Sequence, residues 1–318
     1  MGKIYNDFTE LVGNTPLVHL GRIGKKYDLQ SRLLAKLEYL NPAGSIKDRT
    51  AWGIIREAEE KGEIRPGDLV IDLTSGNTGI GLAAVASARG YRSKFYLRNT
   101  IGKDKLDILR QFGSEIELIE NEELFQPDAI HRIIERIRAE NPGAFYSGQR
   151  SNEANPRIHF ETTGPEIWAD TDGKVDILVG TIGTGGTLSG AGRFLKEKNP
   201  DIKVVVAEPT EDSVPSPDNP GALTIEGVHK VTEVEESLLP ENYNKHVIDE
   251  VIALTTDQAR QAASIVAREE GFLVGTSSGA AIAAAIEVAR RVENHGKTIA
   301  VIFPDSGERY LSLFAATD

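Results

Sequence analysis

A single lysine occupies an unusual position in the stretch NPAGSIKDRTA, residues 41–51. Lys47 follows a turn-forming Asn-Pro pair and a run of small residues, just where the pattern of residues 49–62 predicts an amphipathic helix. The positive end of a helix dipole disfavours an ammonium group. A partly buried lysine at that end is deprotonated more readily, which suits an amine that attacks an aldehyde. Lys47 is therefore a candidate nucleophile, and the alternative is an ordinary solvated lysine.

A second candidate site is the loop LTSGNTG, residues 73–79, between a predicted strand and a predicted helix. Its backbone N–H groups, hydroxyls and amide side chain could bind a carboxylate or a phosphate. The alternative is a simple helix cap, in which Thr74 or Ser75 bonds to the first turn. The loop alone does not decide between these two interpretations.

A third candidate site is the loop GTIGTGGTLSGAG, residues 180–192, which is typical of a nest of N–H groups around a phosphate. Glu208, at the end of the next predicted strand, would suit the ribose of a dinucleotide. The spacing excludes that interpretation, because Gly183 and Gly185 are followed by Leu188 where the dinucleotide motif has glycine. No Gly-Lys-Ser/Thr follows either, so the loop indicates the phosphate of a smaller cofactor.

The segment FPDSGERY, residues 303–310, brings Asp305 and Ser306 to the end of a further predicted strand. A serine at that position is usually a capping residue, and it gains interest as a partner for a ring nitrogen. A lysine, a phosphate nest, a carboxylate-binding loop and this hydroxyl, all at strand or helix ends, together indicate pyridoxal 5'-phosphate as cofactor.

Strands and helices alternate along nearly the whole chain, which predicts an α/β protein with mostly parallel sheets covered by helices on both faces. In such sheets, ligands bind at the carboxyl ends of the strands. The apolar runs that predict strands are RLLAKLEYL, DLVIDLTSG, SKFYLR, EIELIE, VDILVGT, IKVVVAEP and TIAVIFP. Residues 209–244, rich in Pro, Asp, Glu and Gly, are predicted to form a long surface excursion.

Composition limits the possible functions. The formal net charge of −12 argues against nucleic acid or an anionic membrane as partner. The absence of cysteine excludes disulfides, thiolate metal sites and a cysteine nucleophile, and no metal site is predicted. With no apolar run of membrane-spanning length and no apolar signal segment, a cytoplasmic enzyme or binding protein is expected.

Seven motifs in order along the chain resemble the fold-type II pyridoxal-phosphate enzymes, specifically the cysteine synthase (O-acetylserine sulfhydrylase) and cystathionine β-synthase family. They are KIYNDFTELVGNTPLVHL, NPAGSIKDR, TSGNTGIGLA, SNEANPRIHFETTGPEIW, GTGGTLSGAGRFLK, EEGFLVGTSSGAA and PDSGERYLS. The resemblance implies a two-domain, tryptophan synthase β-like α/β fold, with the cofactor between the domains. A smaller mobile domain of residues 43–152 is expected to carry the carboxylate loop, and residues 1–42 with 153–318 to form the larger cofactor-phosphate domain.

The same resemblance implies a role for each candidate residue. Lys47 is expected to form the Schiff base and to carry the Cα proton, Asn77 to bond the ring hydroxyl oxygen, and Ser306 to bond the ring nitrogen. Asp305 is the alternative partner of that nitrogen. The cofactor phosphate is expected to bind Gly183, Thr184, Gly185, Gly186 and Thr187. The substrate carboxylate is expected to bind Thr74, Ser75, Asn77, Thr78 and Gln149.

The implied reaction is β-replacement on an activated L-serine through an aminoacrylate, so that O-acetyl-L-serine and sulfide yield L-cysteine and acetate. The alternatives are O-phosphoserine as donor, homocysteine or thiosulfate as nucleophile, and a cysteine desulfurase-type β-elimination. A non-catalytic binding protein on the same fold is a further alternative, which the retention of Lys47, Asn77 and Ser306 disfavours. By analogy, the resemblance also implies a homodimer and, more remotely, a complex with serine acetyltransferase.

Two segments depart from the family pattern. Arg150 follows Gln149 where an aromatic residue is common in the family, and the segment after Gly227 has His229 and Lys230 in place of small residues. These three cationic side chains, with Gly227, are candidate substrate contacts that would favour an anionic substrate. The alternative is that Arg150 pairs with a nearby acid and that the other two face solvent.

Overall fold

The fold is that of a computed structural model, which describes residues 4–74, 76–120, 123, 128–216 and 219–311. Its internal contacts divide the chain into two compact units, one of Met1–Val12 with Asn41–Asn155 and the other of Gly13–Leu40 with Pro156–Asp318. The sequence-based expectation assigns residues 1–12 to the larger domain. Residues 4–12 are grouped with the first unit, where Phe8 packs against the apolar core.

The described residues contain ten strands and ten α-helices. The strands are β1 (Leu17–His19), β2 (Arg32–Leu37), β3 (Leu69–Leu73), β4 (Arg92–Arg98), β5 (Glu115–Ile119), β6 (Phe145–Tyr146), β7 (Ile177–Thr181), β8 (Lys203–Pro209), β9 (Glu250–Leu254) and β10 (Thr298–Phe303). The helices are α1 (Gly21–Lys26), α2 (Lys47–Lys61), α3 (Asn77–Arg89), α4 (Lys103–Gln111), α5 (Ala129–Glu140), α6 (Ala154–Ile158), α7 (Gly164–Asp170), α8 (Gly186–Lys198), α9 (Thr256–Glu270) and α10 (Thr276–Ala289). None of the described helices is both long and apolar enough to cross a membrane.

The first unit is built on a parallel sheet in the strand order β5-β4-β3-β6. Successive side chains of β3 point to opposite faces of the sheet, as in any β-strand. Val70 packs with Ile55 and Ile80 of helices α2 and α3, while Ile71 packs with Ile133 of α5. The sheet is therefore covered on both faces, as predicted.

The second unit is built on a six-stranded sheet in the order β1-β2-β10-β7-β8-β9. All of its strand pairs are parallel except β1 with β2. Its largest core cluster packs the sheet residues Val179 and Val301 with Ala263 of α9 and Ala284 of α10. Because β10, β7 and β8 are adjacent and parallel, the segments after these three strands lie along one edge of the sheet.

The predicted strands and helices are confirmed. The helix after the Asn-Pro turn begins at Lys47 itself and ends at Lys61, where Gly62 caps it with a φ of 69°. Three strands were missed: β1, β6 and β9 have three, two and five residues. With two or three residues, β1 and β6 are too short for a period-2 pattern to be distinctive.

Candidate active site

Lys47 is the first residue of α2, and its side chain is half-buried. Two neighbouring side chains accept hydrogen bonds from the backbone of this turn. The Lys47 amide donates to the Ser45 hydroxyl at 3.2 Å, and the Ala43 amide donates to the buried Asp48 carboxylate at 2.6 Å. These bonds fix the backbone from which the Lys47 side chain projects.

The candidate carboxylate loop, residues 73–79, leads from β3 into α3. The Thr74 hydroxyl oxygen accepts from the amides of Gly76 and Gly79 at 3.3 and 3.2 Å, so Thr74 does have the capping role considered for it. Ser75 lies outside the described residues. The hydroxyl of Thr78 donates to Oε1 of Gln149, although the two residues are 71 positions apart. The structure thus brings Thr74, Thr78 and Gln149 together at the beginning of α3.

Gly81 places this loop beside Lys47. A Cβ atom at Gly81 would lie 2.8 Å from the carbonyl oxygen of Lys47 and 3.2 Å from the amide nitrogen of Asp48. Only glycine lets α3 approach the start of α2 this closely. Because Asn77 lies one turn before Gly81 on α3, Asn77 and Lys47 belong to adjoining helix starts of one unit.

A lysine not singled out from the sequence also adjoins the carboxylate loop. Lys105 on α4 is 6% exposed, and a Cβ atom at Gly76 would lie 2.8 Å from its Cδ and 3.6 Å from its Nζ. Gly76 has a φ of 134°, which L residues rarely adopt. The loop therefore needs glycine here, both for its backbone conformation and because a larger side chain would collide with Lys105.

Asp72, next to the carboxylate loop, was also missed. Burial raises its pKa to about 7, and the nearby donors, led by the Ser147 hydroxyl, act in the opposite direction. Neither of its carboxylate oxygens accepts a well-formed hydrogen bond from the part of the chain that the structure describes, so those donors offset the burial only in part. The position on β3 carried no sequence signal, because an acidic residue within an apolar strand usually faces solvent.

The glycine loop joins β7 to α8. Gly185 has a φ of 85°, and a Cβ atom there would lie 2.7 Å from the backbone of Tyr243. Thr184 is buried, whereas Thr187 is half-buried in the first turn of α8. The first N–H groups of this helix and the Thr187 hydroxyl form a donor set suited to an anion.

A buried histidine stands behind the glycine loop. Nε2 of His159 lies 3.3 Å from the Thr187 hydroxyl oxygen, and Nδ1 lies 2.8 Å from that of Thr163. The motif SNEANPRIHFETTGPEIW contains His159 but indicates no contact with the glycine loop. The pairing with Thr187, 28 residues away, is a tertiary contact that the local pattern does not carry.

Ser306 and Asp305 have different environments after β10. The Ser306 hydroxyl oxygen accepts from the Glu308 amide at 3.2 Å, and Ser306 is half-buried. Asp305 is buried, accepts a hydrogen bond from the hydroxyl of Tyr310, and approaches Gly275 so closely that a Cβ atom there would lie 2.1 Å from its Oδ1. Since β10 pairs with β7, Ser306 and the glycine loop follow neighbouring strands.

Among the described residues of 210–244, the helical turns are the 3-10 turns Glu211–Ser213 and Glu236–Leu238. Glu208 accepts hydrogen bonds from the amides of Val231 and Thr232 at 2.7 and 3.0 Å, so this carboxylate is the anchor of the segment. The ammonium group of Lys230 lies 3.2 Å from a Glu233 carboxylate oxygen and 3.7 Å from one of Glu211.

The other residues that depart from the family pattern are Gly227, His229 and Arg150. Gly227 is exposed with a φ of 71°, and His229 is exposed while its amide donates to the Ile182 carbonyl at 2.7 Å. Arg150 is half-buried, and its charge acts on Tyr146, whose pKa is raised by burial.

Comparison with known proteins decides the family. The sequence profile described as "Pyridoxal-phosphate dependent enzyme" matches residues 8–305. The chain belongs to this pyridoxal-phosphate-dependent family.

The relatives of this pyridoxal-phosphate-dependent enzyme match almost its full length. Cysteine synthase A of Escherichia coli (strain K12) is 41% identical over 320 aligned residues, covering 99% of this chain and 97% of that protein. The solved cysteine synthase of Entamoeba histolytica has a TM-score of 0.86 and 38% identity, covering 99% of this chain and 92% of that one. A solved O-ureido-L-serine synthase has a TM-score of 0.88 and 33% identity, covering 99% of this chain and 97% of the other.

The residues present fit pyridoxal phosphate. The first turn of α8 offers backbone and hydroxyl donors for a phosphate, and Lys47 offers a half-buried amine for an aldehyde. The hydroxyl of Ser306 offers a neutral partner for a ring nitrogen. The chain is thus a pyridoxal-phosphate enzyme of the cysteine synthase type, with a fold-type II architecture.

Proposed function

We propose that the chain catalyses β-replacement on O-acetyl-L-serine, with sulfide as nucleophile and L-cysteine and acetate as products. The observation that carries this proposal is the close approach of Gly81 to Lys47, together with the Thr78–Gln149 hydrogen bond at the start of the same helix. Lys47, which we assign as the reactive amine, and the loop that we assign to the substrate carboxylate thereby lie at adjoining helix starts. The near full-length similarity to cysteine synthases supports the same reaction.

Lys47 is assigned two tasks, to hold the cofactor covalently and then to carry a proton at the substrate Cα. Its position at the positive end of α2 favours the neutral amine that both tasks need. The cofactor, when bound, supplies the electron sink for the charge that develops at Cα. Thr74, Ser75, Asn77, Thr78 and Gln149 are assigned to the substrate carboxylate.

The remaining assignments concern the cofactor itself. Gly183, Thr184, Gly185, Gly186 and Thr187 are assigned to its phosphate, Asn77 to its ring hydroxyl oxygen and Ser306 to its ring nitrogen. The Tyr310 hydroxyl and the close contact with Gly275 engage the Asp305 carboxylate, which supports Ser306 in that role. A neutral hydroxyl at the ring nitrogen leaves the ring a milder electron sink and so favours β-elimination over racemisation or transamination.

The proposal is tested by mixing purified holoenzyme separately with O-acetylserine, O-phosphoserine, serine and cysteine while recording the cofactor absorption. We expect the absorption of the bound cofactor near ~410 nm to change mainly with O-acetylserine, and sulfide to restore it with release of cysteine. The variant Lys47→Ala should give no turnover. A response to serine or cysteine alone would refute O-acetylserine as donor.

Arg150 supports a second candidate, an anionic donor such as O-phosphoserine. It directly follows Gln149 and is half-buried, so its guanidinium could bind an oxyanion through two parallel hydrogen bonds. The variant Arg150→Phe should then impair O-phosphoserine and spare O-acetylserine, whereas equal losses would contradict this role. Lys230 is the weaker candidate, because its ammonium group already pairs with Glu211 and Glu233.

The nucleophile should be established by product analysis. One structural relative is named for a different product, O-ureido-L-serine. Mass spectrometry of the products formed from O-acetylserine with sulfide, thiosulfate and homocysteine would therefore be decisive. Sulfide should yield cysteine at the highest kcat/KM, and a higher value for another nucleophile would reassign the reaction.

We also propose that the chain is a cytoplasmic homodimer whose smaller domain, residues 43–152, moves when substrate binds. Light scattering coupled to size exclusion would test the dimer, and a monomeric mass would contradict it. Serine acetyltransferase is the candidate protein partner, and co-elution of the two purified proteins would test that complex.

A further inference from the structure

The buried histidine behind the glycine loop has no role in the reaction as assigned above. His159 is 0% exposed and begins the π-helical segment His159–Thr163 between α6 and α7. Its Nε2 lies 3.3 Å from the Oγ1 atom of Thr187, and its Nδ1 lies 2.8 Å from that of Thr163. The imidazole therefore bridges two hydroxyls, one in the phosphate loop and one in the helix behind it.

The distance between this histidine and the loop is set by close backbone packing. A Cβ atom at Gly190 of α8 would lie 2.0 Å from the carbonyl oxygen of Pro156 and 3.0 Å from Cβ of His159. At Gly164, a Cβ atom would lie 2.9 Å from Cβ of Phe194 on the same helix α8. Two glycines thus let the segment around His159 pack tightly on α8, and π-helical turns of this kind are frequent at functional sites.

The chemistry of the two hydroxyls determines the direction of the hydrogen bonds. A hydroxyl has one proton, so Thr187 can donate to a phosphate only if its oxygen accepts from His159. That requires a proton on Nε2. A neutral imidazole with its proton on Nε2 has an acceptor at Nδ1, so the buried Thr163 hydroxyl must donate to it.

The bonds then run in one direction, from Thr163 to His159, from His159 to Thr187, and from Thr187 to the anion. This order of hydrogen bonds matters for anion binding, because residues 180–192 of the glycine loop contain no lysine, arginine or histidine. A phosphate held there depends on neutral donors and on the helix N-terminus. Each donor that is oriented before the ligand arrives then contributes more to its affinity.

We propose that His159 is a positioning residue that holds the Thr187 hydroxyl as a donor toward the cofactor phosphate, through a neutral imidazole protonated on Nε2. The complete burial of the ring supports the neutral form. This inference rests on the proposed function, since it takes the bound anion to be the phosphate of pyridoxal phosphate.

The first test compares two neighbouring threonines of one helix. The variant Thr163→Val removes the hydroxyl at Nδ1. The control Thr162→Val removes a hydroxyl that donates to the Ile158 carbonyl at 2.5 Å within its own helix. The apoprotein of each variant is titrated with pyridoxal phosphate and with phosphate-free pyridoxal, which both retain the aldehyde that reacts with Lys47.

We expect Thr163→Val to weaken pyridoxal phosphate about tenfold while leaving pyridoxal unchanged, because the loss is confined to the phosphate. Thr162→Val should change neither affinity, and Thr163→Ser, which keeps the hydroxyl, should restore wild-type binding. Equal weakening of both ligands by Thr163→Val, or no weakening at all, would overturn the inference.

The second test needs only the wild-type holoenzyme and one variant for assignment. The chain has six histidines, so the ¹⁵N signals of labelled histidine can be assigned to His159 by their absence from His159→Gln. Shifts of a neutral ring protonated on Nε2 are expected. A ring protonated on Nδ1, or an imidazolium, would refute the inference while leaving the proposed function intact. Wild-type protein that fails to bind pyridoxal phosphate would overturn both.

Discussion

The hydroxyl of Thr78 donates to Oε1 of Gln149, and Nε2 of Gln149 lies 3.4 Å from the carbonyl oxygen of Leu73. The amide side chain is thereby held against both ends of the carboxylate loop. Gln149 is 7% exposed, so its geometry is set by packing and not by solvent. Since Gln149 lies in the first unit with Lys47, we expect a change here to affect substrate binding without affecting the glycine loop of the second unit.

Replacing Gln149 by alanine should raise the KM for O-acetylserine by about tenfold or more, because the substrate contact proposed for Gln149 and its hydrogen bond with Thr78 would both be lost. The cofactor absorption should stay that of the wild type. Steady-state kinetics with a spectrum of each preparation checks both expectations. Ser151→Ala, an exposed neighbour, serves as the control. Loss of the cofactor from Gln149→Ala would show that the residue acts on cofactor binding.

Replacing Gly81 by alanine should displace the start of α2, since the new Cβ would lie 2.8 Å from the Lys47 carbonyl oxygen. Overpacking of this kind costs about 1–3 kcal/mol of unfolding free energy and should also slow the reaction of Lys47 with pyridoxal phosphate. Thermal melting and the rate of cofactor reconstitution measure these effects. Gly24→Ala is the control, because nothing lies within 4 Å of a Cβ there and a helical alanine is favoured. Equal melting temperatures for the two variants would contradict the close contact.

Replacing Lys36 by methionine should strongly destabilise the second unit. Lys36 is fully buried on β2, where its ammonium group donates to the Thr15 carbonyl at 2.6 Å and lies 2.7 Å from a Glu166 carboxylate oxygen. Removing it leaves a carboxylate without its cation, at a cost of about 3–5 kcal/mol in unfolding free energy. Urea unfolding measures the change. Lys61→Met, which removes a lysine that is 55% exposed from its pair with Glu57, should cost less than about 1 kcal/mol. Similar costs for both variants would refute the distinction.

Asp72 should make the stability of the first unit depend on pH. Burial raises its pKa from an ordinary 3.8 to about 7, so between these values the folded state holds a proton that the unfolded state releases. The resulting stabilisation is fully present below the lower pKa and is lost as pH rises toward the higher one. The melting temperature of the wild type should therefore fall over this window.

The variant Asp72→Asn tests this pH effect, because an amide cannot ionise. Its melting temperature should fall less than that of the wild type between about pH 4 and pH 7, and it should be the more stable protein at the upper end. Glu63→Gln, which changes an exposed carboxyl group, should keep the wild-type profile. A parallel decline in Asp72→Asn would show that Asp72 is not the titrating group.

Much of the fold was predictable from local pattern. Local pattern predicted the strands before the loops of residues 73–79, 180–192 and 303–310. It also predicted the helices after the first two of these loops. Apolar periodicity and glycine stops are properties of neighbouring residues, so they can be read from the sequence. The missed strands β1, β6 and β9 are strands because they form hydrogen bonds with other strands of the sheets. Phe145 and Tyr146 are strand residues because they pair with Val70 and Ile71, which lie more than seventy positions earlier.

The sequence by itself determined which chemical groups are available and in what order, namely an amine at Lys47, a glycine loop with hydroxyls, and Ser306 after a strand. Motifs of neighbouring residues were enough for that, and for the family. The tertiary structure alone decided which groups meet. Gln149 reaches Thr78, His159 reaches Thr187, and Glu208 receives the amides of Val231 and Thr232 only after distant segments pack together. The physical reason is that a side chain's partner depends on which distant parts of the chain pack together. Local periodicity describes only neighbouring residues and does not predict that packing.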